Sequence, residues 1–314
     1  MSILRSSLSC PVVRVNYRCD KTHRYPTAIH DVTSALDFIV SNLLPRRALV
    51  RPGRSQHTGR LAICGELLGG QLATAMALTE CRIGEPGIVA AAVSNPIADW
   101  TALDIDPLSD GAKRSKSEVE QLNLEELCAQ RDVIFRKPEH YFDPFASPTL
   151  FFRSPGVHVP KQTDQQILDD MDQLALFGRE QYVGPESIIN ASPVKDAPKS
   201  REGEESPSTT RRTSERYPSK AFNLRLPSFR ITAGLDNAIG AQTAELAKLL
   251  KQSFARQSRT TAFGIKSSWE DEWAAPDTGR VIHQMYAGMG LWSATHEGKA
   301  RMTEAARWLG QELQ

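Results

Sequence analysis

Leu61-Ala-Ile-Cys-Gly-Glu-Leu-Leu-Gly-Gly-Gln-Leu-Ala73 holds a short apolar run, a glycine-bracketed turn and a helix start, in the template Gly65-x-Leu67-x-Gly69-Gly70. A strand that turns abruptly into a helix crowds its own backbone, so residues two places either side of the tip must be small. The tip itself is forced to positive φ, a strain of about 1–3 kcal/mol for a residue with a Cβ. That strain serves catalysis when it lifts a serine hydroxyl into a pocket as a nucleophile. Here the lifted side chain is that of Leu67, which has nothing to attack with. Glu66 is no substitute, because the residue before such a tip points away from it.

The elements around the turn explain how it is held. Pro11 to Tyr17 has the β-branched composition of a buried strand, and Asp31 to Leu44 repeats Val32, Ala35, Leu36, Ile39 and Leu43 at helical spacing, with Asp31 as N-cap. A basic loop, Arg46 to Arg60, leads to the strand Leu61 to Cys64, the helix Gln71 to Thr79 and the apolar strand Gly87 to Val93. Helices are expected at Ser115 to Arg131 and Thr163 to Phe177. A strand at Ser228 to Ala233, a helix at Ala241 to Ser253, a weaker strand at Thr260 to Ile265 and a terminal helix at Lys299 to Leu313 follow. Five strands alternating with helices predict an α/β fold with a mostly parallel sheet covered on both faces.

The whole-chain properties narrow the class. A chain of 314 residues can bury a substantial core, and its net charge of +1 does not call for nucleic acid. The five cysteines, Cys10, Cys19, Cys64, Cys81 and Cys128, lack metal-ligand spacing, and their odd number fits a reduced, cytoplasmic protein. No metal or cofactor is expected. Met1 to Ser9 is too polar for a signal peptide, and no apolar run is long enough to span a bilayer. Residues 191 to 220 are almost wholly Ser, Thr, Pro and charged residues, a composition expected to be disordered.

Two stretches carry a family resemblance. Val15-Asn-Tyr-Arg-Cys-Asp-Lys-Thr-His-Arg-Tyr-Pro-Thr-Ala-Ile-His-Asp31 resembles the Tyr-Arg, then Phe-or-Tyr-Pro-x-Ala, then Asp pattern of the hormone-sensitive-lipase-like esterases, the α/β-hydrolase fold-3 family. Gly65 to Ala73 is similar to that family's Gly-Asp-Ser-Ala-Gly-Gly-x-Leu-Ala, with Glu66 for the acid and Leu67 for the serine. The resemblance implies an α/β-hydrolase fold over roughly residues 12 to 100, 141 to 155 and 224 to 313. Its chain order of nucleophile, acid and histidine implies Asp236, in the turn after the strand ending at Ala233, as the acid, and His283 as the base. The family's His-Gly-Gly oxyanion loop lies upstream of the Tyr-Arg stretch and has no counterpart here, so the first strands are expected to be missing. Losing one oxyanion donor typically costs about 10²–10³ in rate.

The expected organisation is an N-terminal part, 1–155, with a cap-like segment at 101–145, an insertion at 156–223, disordered at 191–220, and a C-terminal part, 224–314. The resemblance implies a carboxylic-ester hydrolase lineage, weak or inactive for want of a serine at Leu67. Such a protein keeps a pocket for a small apolar ligand or ester, as the gibberellin receptors of this family do. The alternatives are an active ester hydrolase with an unrecognised nucleophile and a non-catalytic binding or interaction protein. Ser94 reads as a strand-end serine, Asp99-Trp100 as a turn and packing pair, and the aromatics between Tyr141 and Phe152 as core.

Overall fold

The computed structural model describes residues 2–44, 59–103, 118–157, 216–263 and 279–314. Helices α1 (Ser2–Ser7) and α2 (Thr27–Asn42) precede β1 (Arg60–Glu66), α3 (Leu68–Thr79), β2 (Gly87–Ser94) and α4 (Glu118–Ile134). Next come β3 (Ser228–Gly234), α5 (Gly240–Phe263), β4 (Val281–Tyr286) and α6 (His296–Leu313). The strands form one parallel sheet in the order β1-β2-β3-β4.

Alternation along each strand sorts the core into two layers. Ile63, Val93, Phe229, Ile231 and Val281 face α2, α3 and α5, whereas Ala62, Cys64, Ala90, Ala92 and Ile282 face Trp308 and Leu309 of α6. Phe229 and Ile231 are fully buried, and each contributes about 1.5–3 kcal/mol by leaving water. A third cluster, of Ile97, Trp100, Leu127, Ile134, Phe135 and Ile239, lies over the segments that follow β1, β2 and β3 and joins them to α4. Its aromatic members meet edge-on, Trp100 and Tyr141 each against Phe135 at 5.4 and 5.7 Å.

The structure corrects several expectations. Pro11 to Tyr17 forms no strand and, among the described residues, belongs to no ladder, with Val13 49% exposed. A β-branched run has strand propensity, but a strand needs a neighbour to pair with, and composition cannot supply one. The weak strand expected at Thr260 to Ile265 is replaced, as far as Phe263, by the last turn of α5. The fourth strand is instead Val281–Tyr286, whose polar residues concealed it: His283 and Gln284 fit there because β4 is an edge of the sheet. Helix α2 begins at Thr27, after Pro26, so Asp31 is an interior helix residue and not its N-cap.

The helix expected at 163–177 and residues 191–215 of the expected disordered stretch lie outside the described residues. Where the chain is again described, Tyr217 is firmly placed. Its hydroxyl donates to the Leu78 carbonyl at 2.8 Å, and its ring packs on Phe151 and Phe152 at 4.9 and 5.4 Å.

Candidate functional site

Ligands of open parallel sheets bind beyond the carboxyl ends of the strands. The β1 end is the glycine-bracketed turn. Leu67 has φ 51° and ψ −119°, its N–H donates to the Ser94 carbonyl at 3.0 Å, and its own carbonyl accepts from Gln71 at 2.9 Å. A Cβ on Gly65 would lie 2.2 Å from the Gly69 carbonyl oxygen, which only glycine avoids. A Cβ on Gly70 would press on Pro96 at 3.2 Å, whereas one on Gly69 would meet only the Tyr17 hydroxyl at 3.5 Å. The bracket therefore depends on Gly65 and Gly70, and the strained tip is retained although it carries a leucine.

The Leu67 side chain packs against the cluster that joins the strand ends to α4. Contact and strain thus oppose one another at this position, and two truncations separate them. Leu67→Ala loses the contact and keeps the strain, while Leu67→Gly loses the contact and relieves it. The glycine variant is expected to be about 1 kcal/mol or more stabler than the alanine variant in urea unfolding, the reverse of the order in a helix interior and in the direction of the ordinary N-cap preference.

Glu66 points to the opposite face of the sheet, where it accepts from the Trp292 N–H and, at 3.5 Å, from the Ser94 hydroxyl. Burial raises its pKa, and these two hydrogen bonds partly oppose the shift. Its work is to brace the loop after β4 against the end of β1. Ser94 is buried and also donates to the Gly290 carbonyl at 3.3 Å, a structural strand-end role.

Asn95 was missed by sequence reasoning. Buried at φ 44°, it accepts at Oδ1 from the Gly234 N–H and the Asn237 amide, at 3.0 and 3.1 Å, and donates to the Met289 carbonyl at 3.1 Å. One side chain thereby ties together the ends of β2, β3 and β4. The available signal was an asparagine directly after an apolar strand, since Asn tolerates positive φ.

The two other candidate residues lie apart. Asp236 is exposed in the turn after β3, where its N–H donates to the Gly288 carbonyl at 3.2 Å. His283 is within β4, opposite Ile231, three residues and so about 10 Å before the strand's end at Tyr286. Its ring faces α5, with Nε2 3.5 Å from the Thr243 hydroxyl, in a groove lined by Lys248, Lys251 and small residues of that helix. Burial and the nearby Lys251 lower its pKa. Among the described residues no hydrogen bond or ion pair joins Asp236 to His283.

The Tyr17 to Asp31 stretch forms one wall of the site. The Arg18 guanidinium grips Asp31 with two hydrogen bonds, at 2.7 and 3.0 Å, and the Arg18 N–H adds a third at 2.9 Å. These bonds hold the Asp31 carboxyl down at about 2. Tyr25 donates its N–H to the Ile134 carbonyl at 2.8 Å, fastening the stretch to α4. Between them opens a cleft of about 710 Å³ lined by Arg14, Val15, Tyr17 and Cys19, by Leu68 next to the tip, and by Val133 and other residues of α4. Among the described residues no group of three His, Cys, Asp or Glu side chains could hold a metal, and no helix is long and apolar enough to cross a membrane.

Known proteins bear on this geometry in two ways. Residues 1–161 match a family described as alpha/beta hydrolase fold, and no curated protein matches the chain. Among solved structures, an esterase of Pyrobaculum calidifontis is similar at a TM-score of 0.51 and 15% identity, over 98% of this chain and 68% of that one. A thermostable esterase of Pseudomonas putida ECU1011 follows at 0.53 and 14%, over 99% and 67%. Carboxyl esterase 2 of the fungus Tuber melanosporum gives 0.52 and 11%, over 100% and 71%. At such identities these neighbours speak for the fold alone. The family match spans just over half of the chain and includes both the Tyr17 to Asp31 stretch and the strained turn, so this chain belongs to the α/β-hydrolase fold-3 family, with the hormone-sensitive-lipase-like esterases.

Proposed function

We propose that this chain is a member of an ester-hydrolase lineage that binds a small apolar ligand or ester without cleaving it. The observation that carries this reading is Leu67 at the strained tip, its side chain packed into the cluster that joins the strand ends to α4, where a nucleophile would have to stand free. The placement of His283 against α5 supports it, because a base must come within hydrogen-bond reach of the proton it removes. The cleft beside Leu68 is within the roughly 300–1,000 Å³ usual for small-ligand sites, and Val15, Leu68, Val133 and Ile134 give it an apolar part beside the polar Arg14, Asn16, Glu126 and Gln130.

Two measurements test the proposal together. Hydrolysis of p-nitrophenyl butyrate by the wild-type chain and by Leu67→Ser is expected to stay at the buffer rate, since the His283 ring turns to Thr243 of α5 and, among the described residues, makes no bond toward the tip. A non-hydrolysable short-chain alkyl ketone is expected to bind and to be displaced when Val133→Trp fills the cleft. Robust turnover by the wild type that His283→Ala abolishes would overturn the reading and restore an active hydrolase. Ketone binding unaffected by Val133→Trp would remove the cleft from it.

A further inference from the structure

The amino-terminal end of the sheet lies opposite the glycine-bracketed turn and is built differently. Just before β2 and β3 the chain makes a small antiparallel ribbon: Arg82 pairs with Leu224, the Ile83 N–H donates to the Asn223 carbonyl at 3.0 Å, and the Arg225 N–H to the Cys81 carbonyl at 2.9 Å. Positive φ at Gly84 and Asn223, 86° and 51°, turns each arm of the ribbon. Its tip stands in the open, since a Cβ on Gly84 would meet nothing within 4 Å. Ile83 is 55% exposed, and Phe222, at 60%, is the most exposed large apolar side chain among the described residues.

The surroundings of the ribbon are basic. The lower half of α5 packs beside it: the Ser253 hydroxyl donates to the Tyr217 carbonyl at 2.8 Å and the Gln257 amide to the Leu224 carbonyl at 3.5 Å. Arg256 donates to the Ser253 hydroxyl at 2.9 Å, and Arg280, just before β4, donates to the Leu226 carbonyl with its guanidinium 4.4 Å above the centre of the Phe254 ring. The segments that meet here, 79–87, 216–227, 253–257 and 279–281, contain Arg82, Arg216, Lys220, Arg225, Arg256 and Arg280, and their only acids are Glu80 and Glu85. Among the described residues Arg82, Arg216 and Arg225 are exposed and make no ion pair. Single apolar side chains are ordinary on a surface, but two at one ribbon, ringed by one sign of charge, form an amphipathic face.

We propose that this face docks on an anionic lipid surface, with Ile83 and Phe222 entering the headgroup layer and the arginines resting on its phosphates. Such a surface satisfies both features at once. Nucleic acid would serve the arginines, but it offers an aliphatic side chain such as Ile83 no apolar layer to enter. Each arginine beside an anionic bilayer strengthens adsorption about fivefold, and withdrawing half of a large apolar side chain from water does so about tenfold. Signals of this size give reversible docking, not a permanent anchor. The cleft beside Leu68 lies beyond the other end of the strands, so docking leaves it open to water.

Co-sedimentation of the full chain with vesicles tests the proposal. Vesicles of phosphatidylcholine containing phosphatidylserine are expected to carry the chain down at low salt and to release it as salt rises, while pure phosphatidylcholine vesicles retain far less. Phe222→Ser and Ile83→Ser are each expected to weaken binding about tenfold, and Arg82→Gln combined with Arg225→Gln roughly twentyfold. Arg307→Gln, exposed on α6, removes the same charge elsewhere and is expected to change binding little. All these side chains are exposed, so the variants should melt like the wild type by circular dichroism, and the salt dependence of the wild type reads the charge without any variant. Equal binding to the two kinds of vesicle, or binding to neither, would overturn the proposal. So would vesicle binding that neither serine variant weakens, or an effect of Arg307→Gln as large as that of Arg82→Gln. Tighter binding to polyuridylate than to the anionic vesicles would assign the face to nucleic acid instead.

Discussion

Arg153→Met is expected to lower the free energy of unfolding by about 3–5 kcal/mol, because it strands a buried carboxylate. Asp99 is fully buried after β2, where its Oδ2 meets the Arg153 guanidinium at 2.6 Å. Arg153 also holds Glu245 of α5 at 2.9 Å, and Gln242 one turn earlier clasps the Asp99 backbone with two hydrogen bonds, at 2.8 and 3.1 Å. With the arginine gone, the Asp99 carboxylate keeps, among the described residues, only the Thr101 N–H and hydroxyl. A neutral thioether of similar reach separates loss of charge from loss of volume. For a chain of this size the melting temperature should fall by roughly 10 °C, read by circular dichroism. Asp99→Asn combined with Arg153→Met should recover most of that loss, since it leaves no fully buried charge without a counter-charge, Glu245 being partly exposed to water. Equal melting of the single and double variants would show that Arg153 acts through packing alone.

The ion pair also marks what the sequence could and could not reveal. Asp99-Trp100 reads as a turn and packing pair, and so it is: Asp99 caps a short turn of 3₁₀ helix, and the Trp100 indole donates to Gln71 at 2.8 Å. Its partner Arg153 lies 54 residues on, and Glu245 92 residues beyond that, separations at which no periodicity operates. The same division holds for the sheet. The runs 61–64 and 87–93 are legible because they are apolar throughout, and 228–233 because Phe229, Ile231 and Ala233 alternate with Ser228, Arg230 and Thr232 at the period of a strand. At the margins composition misleads in both directions: Pro11 to Tyr17 has strand residues but no partner, and β4 has a partner but mixed residues.

For the site, local motifs are legible and long-range convergence is not. The turn at Leu67 follows from sterics within six residues, and the Arg18 to Asp31 clasp from one motif. The position of His283 depends on where β4 begins and ends. Taken as a loop residue it would stand at the sheet's carboxyl edge, but once 281–286 is a strand it moves back toward the middle of the sheet and turns to α5. Asn95, which joins three strand ends, has no motif because its partners come from β3 and the loop after β4.

Gly65→Ala should be among the most damaging single-methyl additions in the chain's candidate site. The added carbon would sit 2.2 Å from the Gly69 carbonyl oxygen and 2.4 Å from its carbon, both backbone atoms at the start of α3 that cannot swing aside. Relief requires opening the turn. That would pull Leu67 from its hydrogen bond to Ser94 and from the cluster that joins the strand ends to α4, at a cost of roughly 3–5 kcal/mol by the scale of severe backbone strain and overpacking. Gly69→Ala supplies the contrast, because its nearest neighbour is the Tyr17 hydroxyl at 3.5 Å, an ordinary contact. In the first turn of α3 an alanine should be neutral or slightly stabilising. Urea unfolding of the two variants would read the difference, and similar stabilities would show that the turn is not held as tightly as its geometry implies. A chain that penalises the first methyl and accepts the second has kept the steric requirement of a nucleophile-bearing turn, although a leucine stands at its tip.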